Sequence, residues 1–197
     1  MSDFQHPGAD APQSAALALK KTVVMVGMMG AGKTAVGRAL AQFLGVPFLD
    51  SDQEIETAAN MSVPEIFARD GEAFFRARET EVISRLLGGA ACVLSTGGGA
   101  FLSPENRANI SARGVSVWLD ADLDLLWSRV RHRDTRPLLR TVDPRATLGA
   151  IYEARVPEYG KADLRVPCAP PVSIERMARR VADVLATRAD VLGAPHA

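Results

Sequence analysis

One run of eight residues constrains this chain more than any other feature. Gly27-Met28-Met29-Gly30-Ala31-Gly32-Lys33-Thr34 follows directly on the apolar stretch Thr22–Val26 and leads into a segment of helical spacing, Lys33–Leu44, that stops at Gly45. This is the pattern GxxxxGK[ST] in the strand–loop–helix setting that gives it meaning. The glycines let successive backbone N–H groups turn toward phosphate oxygens, and the new helix adds the positive end of its dipole. In such a loop Lys33 reaches the β and γ phosphates and the Thr34 hydroxyl ligates Mg²⁺. The loop is shared by switches, motors and kinases, so the rest of the chain has to say what the nucleotide is for.

Around the loop, apolar runs alternate with helical patterns. Strands are expected at Thr22–Val26, Pro47–Leu49, Ala91–Ser95, Val115–Leu119 and Asp163–Val166. Helices are expected at Lys33–Leu44, Asp52–Asn60, Gly71–Leu87, Ala121–Val130, Pro144–Pro157 and Ser173–Arg188, with one more opened by Ser103 and Pro104. Such alternation predicts an α/β fold, a mainly parallel sheet with helices on both faces, and ligand sites at the carboxyl ends of its strands. The 197 residues suit one domain, set at 21–190, with 1–20 read as a flexible extension and 191–197 as a flexible tail.

Composition removes whole classes of function. Twenty-three basic and 23 acidic residues cancel, which argues against holding nucleic acid or an anionic membrane by bulk charge. The longest apolar stretch, Thr22 to Met29, is too short to span a bilayer, and the N-terminus does not read as a secretory signal, so a cytoplasmic location is expected. Cys92 and Cys168 are isolated, and His6, His132 and His196 are far apart, which leaves no zinc-ligand spacing. The chain also lacks Asn-Lys-x-Asp for reading guanine and is short for a helicase, so a small-molecule kinase is favoured.

Four further segments carry candidate chemistry. Phe48-Leu49-Asp50-Ser51-Asp52 ends the second strand with two carboxylates at alternate positions, able to hold Mg²⁺ and to orient an acceptor hydroxyl. Asp50 or Ser51 also suits a helix N-cap. In Gly71-Glu72-Ala73-Phe74-Phe75-Arg76-Ala77-Arg78-Glu79, Arg76 can fork onto a carboxylate or phosphate, or pair with a neighbouring acid. Leu94-Ser95-Thr96-Gly97-Gly98-Gly99-Ala100 ends the third strand in three glycines, which favours close backbone approach to a ligand over a plain turn, and it carries no acid. Arg129 to Arg140 holds five arginines, read either as a lid about 130–142 that closes on the phosphates or as an exposed basic loop. Arg155 lies near the end of a helix, where it can grip an acceptor anion from the side opposite Arg76 or simply close the helix.

Taken in order, GMMGAGKTAVGRALA, FLDSDQEIE, GEAFFRARE, LSTGGGA, RDTRPLL and Arg155-x-Pro157-x-Tyr159 with Ala162-Asp163 resemble the shikimate kinase family, from about Thr22 to Leu185. The resemblance implies a P-loop fold like that of the nucleoside monophosphate kinases, with a five-stranded parallel sheet, a substrate-binding helical region about 51–80, and a lid. It implies transfer of the γ-phosphoryl of Mg-ATP to the 3-hydroxyl of shikimate, giving ADP and shikimate 3-phosphate on the route to chorismate and the aromatic amino acids.

Position by position, it implies that Lys33 and the amides of Gly30, Ala31, Gly32, Thr34 and Ala35 hold the phosphates. Thr34 would ligate Mg²⁺, with Asp50 assisting through water. Asp52 would bind the shikimate hydroxyls and orient the attacking one; Arg76 and Arg155 would clamp the carboxylate; Gly98 and Gly99, next to Gly97, would meet the substrate through their backbone. Arg136 would reach the phosphates and Arg129 the adenine, near Pro170 and Pro171. A gluconate kinase on the same fold, and a ligand sensor without turnover, are the competing readings. A monomer is expected.

Overall fold

The computed structural model describes residues 18–132, 137–169 and 172–193. In chain order the elements are β1 (Ala18–Leu19), β2 (Thr22–Val26), α1 (Lys33–Leu44), β3 (Phe48–Asp50), α2 (Ser51–Ala59), α3 (Val63–Leu87), β4 (Val93–Ser95), a 3₁₀ turn (Ala100–Leu102) and α4 (Pro104–Arg113). There follow β5 (Gly114–Ala121), α5 (Leu123–Val130), a second 3₁₀ turn (Pro137–Leu139), α6 (Pro144–Tyr159), β6 (Leu164–Cys168), α7 (Ile174–Ala186) and β7 (Leu192–Gly193).

The five strands foreseen from the sequence form one parallel sheet in the order β3-β4-β2-β5-β6. All five residues of β2 are buried, as a strand covered on both faces requires, and this is why it reads as an unbroken apolar run. Right-handed crossovers then fix the layers. The step from β2 to β3 runs toward one edge of the sheet and puts α1 on one face, where α7 packs beside it. The steps from β3 to β4 and β4 to β5 run the other way, and α3 and α4 pack together on the opposite face. Every loop leaving β2, β3, β4 and β5 therefore opens at the same end of the sheet.

Helix starts are written in short polar side chains. Asp50, Ser103, Asp122, Asp143 and Ser173 each accept a backbone N–H in the first turn of the helix that follows. Sequence reading missed the first arm of α3. Ser62 and Glu65 form a capping box with Pro64 in the first turn, and that signal was legible. The expected helix from Gly71 is the second arm: Gly71, at φ 81° and ψ 170°, breaks the helix, a conformation open to glycine. Ile55, Ile66 and Phe75 give α2 and both arms of α3 a small core of their own, separate from the main one.

At the chain ends the structure differs from expectation. Ala18 and Leu19, placed in the extension, pair antiparallel with Leu192 and Gly193, placed in the tail. Val191 and Leu192 are buried, the Lys20 N–H donates to the Val191 carbonyl at 2.8 Å, and Lys21 meets Asp190 at 2.8 Å. Two-residue strands leave no period to read, so only the fold reveals them. Helix α6 likewise runs past Pro157 to Tyr159, because a proline in the last turn forfeits one backbone bond without ending the packing of the residues after it.

Candidate active site

The loop between β2 and α1 has the backbone the motif demands. Gly27, Gly30 and Gly32 all take positive φ, at 136°, 82° and 98°, conformations that favour glycine. Lys33 folds back over the loop, its ammonium donating to the Gly27 carbonyl at 2.8 Å and the Met28 carbonyl at 3.1 Å. Arg129, from the last turn of α5, donates to the Gly30 and Ala31 carbonyls at 3.1 and 3.2 Å. The sequence set Arg129 beside an adenine; here its guanidinium bonds the carbonyls of the phosphate loop, and the residue lines the cleft that the loop opens into.

Beside the loop stands a set of hard oxygen donors. Thr34 Oγ1 donates to Asp50 Oδ2 at 3.2 Å and lies 3.3 Å from the buried Ser95 hydroxyl at the end of β4. Asp50 Oδ1 accepts the Asp52 N–H at 3.1 Å. Asp50 is thus the helix cap that its position allowed, through one oxygen, while the other accepts from the loop threonine. Ser95 was quoted in the sequence but given no task; its place in register with Met25 and Asp50 is a product of the sheet.

The acceptor side is organised by the three glycines after β4. A Cβ on Gly97 would lie 2.9 Å from Asp52 Oδ1 and 3.3 Å from Glu79 Oε1; one on Gly98, 3.4 Å from Arg155 Nη1; one on Gly99, 2.5 Å from Arg76 Nη2. Asp52, Arg76 and Arg155, distant in sequence, converge on backbone stripped of side chains. The glycine run reads as backbone that a ligand approaches closely; here it is charged side chains that crowd it. Arg76 also pairs with two acids, Glu79 at 2.7 Å and Glu72 at 3.2 Å, so its ionic partner in the helix coexists with its position over Gly99.

Electrostatics distinguish the two carboxylates of the β3 end. Burial, and then the negative charge of Asp50, push the Asp52 carboxyl above its ordinary value, while Lys33 and Arg76 pull it back. Glu79, fully buried, is pushed up to about 6, chiefly by burial and against the pull of Arg76. Asp52 Oδ1 and Glu79 Oε1 are both buried and without a protein hydrogen-bond partner among the described residues. Buried oxygens of this kind are ready acceptors for a ligand's hydroxyl groups.

A cleft of about 540 Å³ runs from the phosphate loop past Asp52 and Thr96–Gly98 to a wall made by Cys168, Val172, Ile174 and Met177. Ala35 lies on its floor, in the first turn of α1. Arg136 and the Pro170–Pro171 segment lie outside the described residues.

The family model of shikimate kinase matches residues 29–186. The chain belongs to the shikimate kinase family. A shikimate kinase of Ruegeria pomeroyi is 71% identical over 192 residues, which cover 98% of each chain. One of Cereibacter sphaeroides is 66% identical over 174 residues, 88% of this chain and 87% of the relative. Among solved structures, the shikimate kinase of Acinetobacter baumannii in complex with shikimate superposes with a TM-score of 0.80 at 37% identity, covering 85% of this chain and 93% of that one. The shikimate kinase fold accounts for the sheet order and its flanking helices, and the chain is an ATP-using kinase. Among the described residues no helix is long and apolar enough to cross a membrane.

Proposed function

We infer that this shikimate kinase uses the cleft as its active site, passing the γ-phosphoryl of ATP to the 3-hydroxyl of shikimate. Family membership supports the reaction. For the residue roles, the supporting observation is the convergence of Asp52, Arg76 and Arg155 on Gly97–Gly99 beside the phosphate loop. A small polyhydroxy acid needs that combination: cations for its carboxylate, acceptors for its hydroxyls, and flat backbone where a side chain would collide.

In this reading the amides from Gly30 to Ala35 and the Lys33 ammonium hold the phosphates, and the apolar wall at Cys168, Val172, Ile174 and Met177 takes the adenine. Arg76 and Arg155 fork onto the shikimate carboxylate. Asp52 accepts a hydrogen bond from the attacking hydroxyl and takes its proton as the new P–O bond forms and the bond to the ADP oxygen breaks; its raised carboxyl pKa favours that task. Arg136 reaches the transferred group from the lid. The oxygens of Thr34, Asp50 and Ser95 suit Mg²⁺, which takes one or two protein ligands together with water and phosphate. When bound, that ion would neutralise charge on the phosphates. The same reading carries a single kinase domain with the helical region about 51–80 and the lid about 130–142, acting as a cytoplasmic monomer.

The test is ADP release from Mg-ATP with shikimate, gluconate, a nucleoside monophosphate or no acceptor. Stimulation by shikimate alone is expected. Stimulation by gluconate would keep the phosphate chemistry and overturn the roles of Arg76 and Arg155, and binding without turnover would return the chain to the sensor reading.

A further inference from the structure

The three glycine carbonyls after β4 are each accounted for, and one differs from the others. The Gly97 carbonyl accepts the Ala100 N–H at 3.1 Å and the Gly99 carbonyl accepts the Leu102 N–H at 3.1 Å, both local turn bonds. The Gly98 carbonyl instead accepts the hydroxyl of Tyr159, 61 residues away, at 2.5 Å. Tyr159 ends α6, one turn beyond Arg155, and its side chain is fully buried. Its ring stacks on Trp118 with centroids 6.4 Å apart, and Trp118 in turn closes on Gly27, where a Cβ would lie 3.3 Å from the indole.

We propose that Tyr159 is a positioning residue for the acceptor site, its hydroxyl fixing the Gly98–Gly99 peptide and the Arg155 guanidinium as one unit. Two physical facts support this. A peptide is planar, with C=O and N–H pointing opposite ways, so holding the Gly98 carbonyl on the phenol aims the Gly99 N–H away from it, on the far side of the peptide. The phenol and Arg155 also meet over one point, since a Cβ on Gly98 would lie 3.4 Å from Arg155 Nη1 and 3.6 Å from Tyr159 Oη. Burial pushes the phenol above its ordinary pKa, and the charge and hydrogen bond of Arg155 oppose that without reversing it; the hydroxyl therefore keeps the proton it donates to Gly98. A phenylalanine would supply the packing against Trp118, so the oxygen is the part that packing does not explain.

The inference rests on the reading of Arg155 and Gly98 as acceptor contacts, and its test separates the two. Tyr159→Phe removes one oxygen and keeps the ring. The expected result is a rise in KM for shikimate on the order of tenfold, a much smaller fall in kcat, and a KM for ATP within about twofold of the parent, with cooperative thermal unfolding retained. Calorimetric titration of shikimate should show the same loss of affinity. In a double-mutant cycle, Tyr159→Phe should add less in an Arg155→Ala background than alone. An unchanged shikimate KM in folded Y159F, or equal losses for both substrates, overturns the proposal while leaving the site reading intact if R155A still weakens shikimate. If R155A leaves shikimate KM unchanged as well, the site reading itself fails.

Discussion

Arg76 Nη1 lies 2.7 Å from a carboxylate oxygen of Glu79, whose side chain is 1% exposed against 34% for the arginine. One partner is thus sealed in and the other reaches toward the glycine run. Burial of Glu79 outweighs the attraction of Arg76, and the charges of Asp52 and Glu72 add to the effect. Arg76 is anchored by an acid that would itself rather be neutral.

That relationship predicts a stability change with pH. Because the Glu79 carboxyl rises from 4.5 to about 6 on folding, it favours the native state below pH 4.5 and loses that contribution as pH climbs through 6. The shift corresponds to about 2 kcal/mol. Glu79→Gln cannot titrate, so the stability of the parent relative to E79Q should fall by roughly that amount between pH 4.5 and 7, measured by urea unfolding across that range. Parallel curves for the two proteins would show that Glu79 does not carry the raised pKa.

Substitutions at the two arginines should act on one substrate. Arg76→Ala and Arg155→Ala each remove a charge-assisted bond worth about 1.5–3 kcal/mol, a rise of about tenfold to a hundredfold in shikimate KM. KM for ATP should hardly move. Steady-state kinetics with each substrate varied in turn decides it, and a selective rise in ATP KM would mean the two sides of the cleft are reversed.

Lys33→Ala should act on turnover instead. Removing preorganised positive charge from the transferring phosphoryl group lowers kcat on the order of a hundredfold to a thousandfold. The exchange should leave the fold intact, because the bonds from the Lys33 ammonium to the Gly27 and Met28 carbonyls are local to the loop. Circular dichroism beside single-turnover kinetics is the check, and near-normal turnover in a folded variant would remove Lys33 from the chemistry.

What the sequence displayed was whatever a local pattern can encode. The phosphate loop, the Asp50–Asp52 pair and the glycine run are each contiguous and sit at strand ends, so alternation of apolar and helical segments was enough to bring them to one end of the sheet. Glu79 and Tyr159 were visible as letters beside Arg76 and Arg155. Their importance lies in burial and in a contact across 61 residues, which no periodicity reports. The pairing of Ala18–Leu19 with Leu192–Gly193 was hidden for the same reason: each half is too short to have a pattern, and the information is in their meeting.

Gly99→Ala separates stability from function most sharply. A Cβ there would fall 2.5 Å from Arg76 Nη2 and 2.6 Å from Nη1, closer than any contact allows, yet the obstacle is the tip of a flexible side chain. Gly99 itself has φ −90° and ψ −19°, which alanine adopts without strain. The protein should therefore unfold within a few degrees of the parent while the displaced guanidinium raises shikimate KM about tenfold or more. Gly30→Ala makes the contrast: at φ 82° and with a Cβ only 2.7 Å from Val130, it strains the backbone and costs about 1–3 kcal/mol of stability. Thermal melts of both variants beside their kinetics provide the measurement. A G99A protein destabilised as much as G30A would show that Arg76 is locked in place, and that its position over the glycines is a matter of packing and not of readiness to receive an anion.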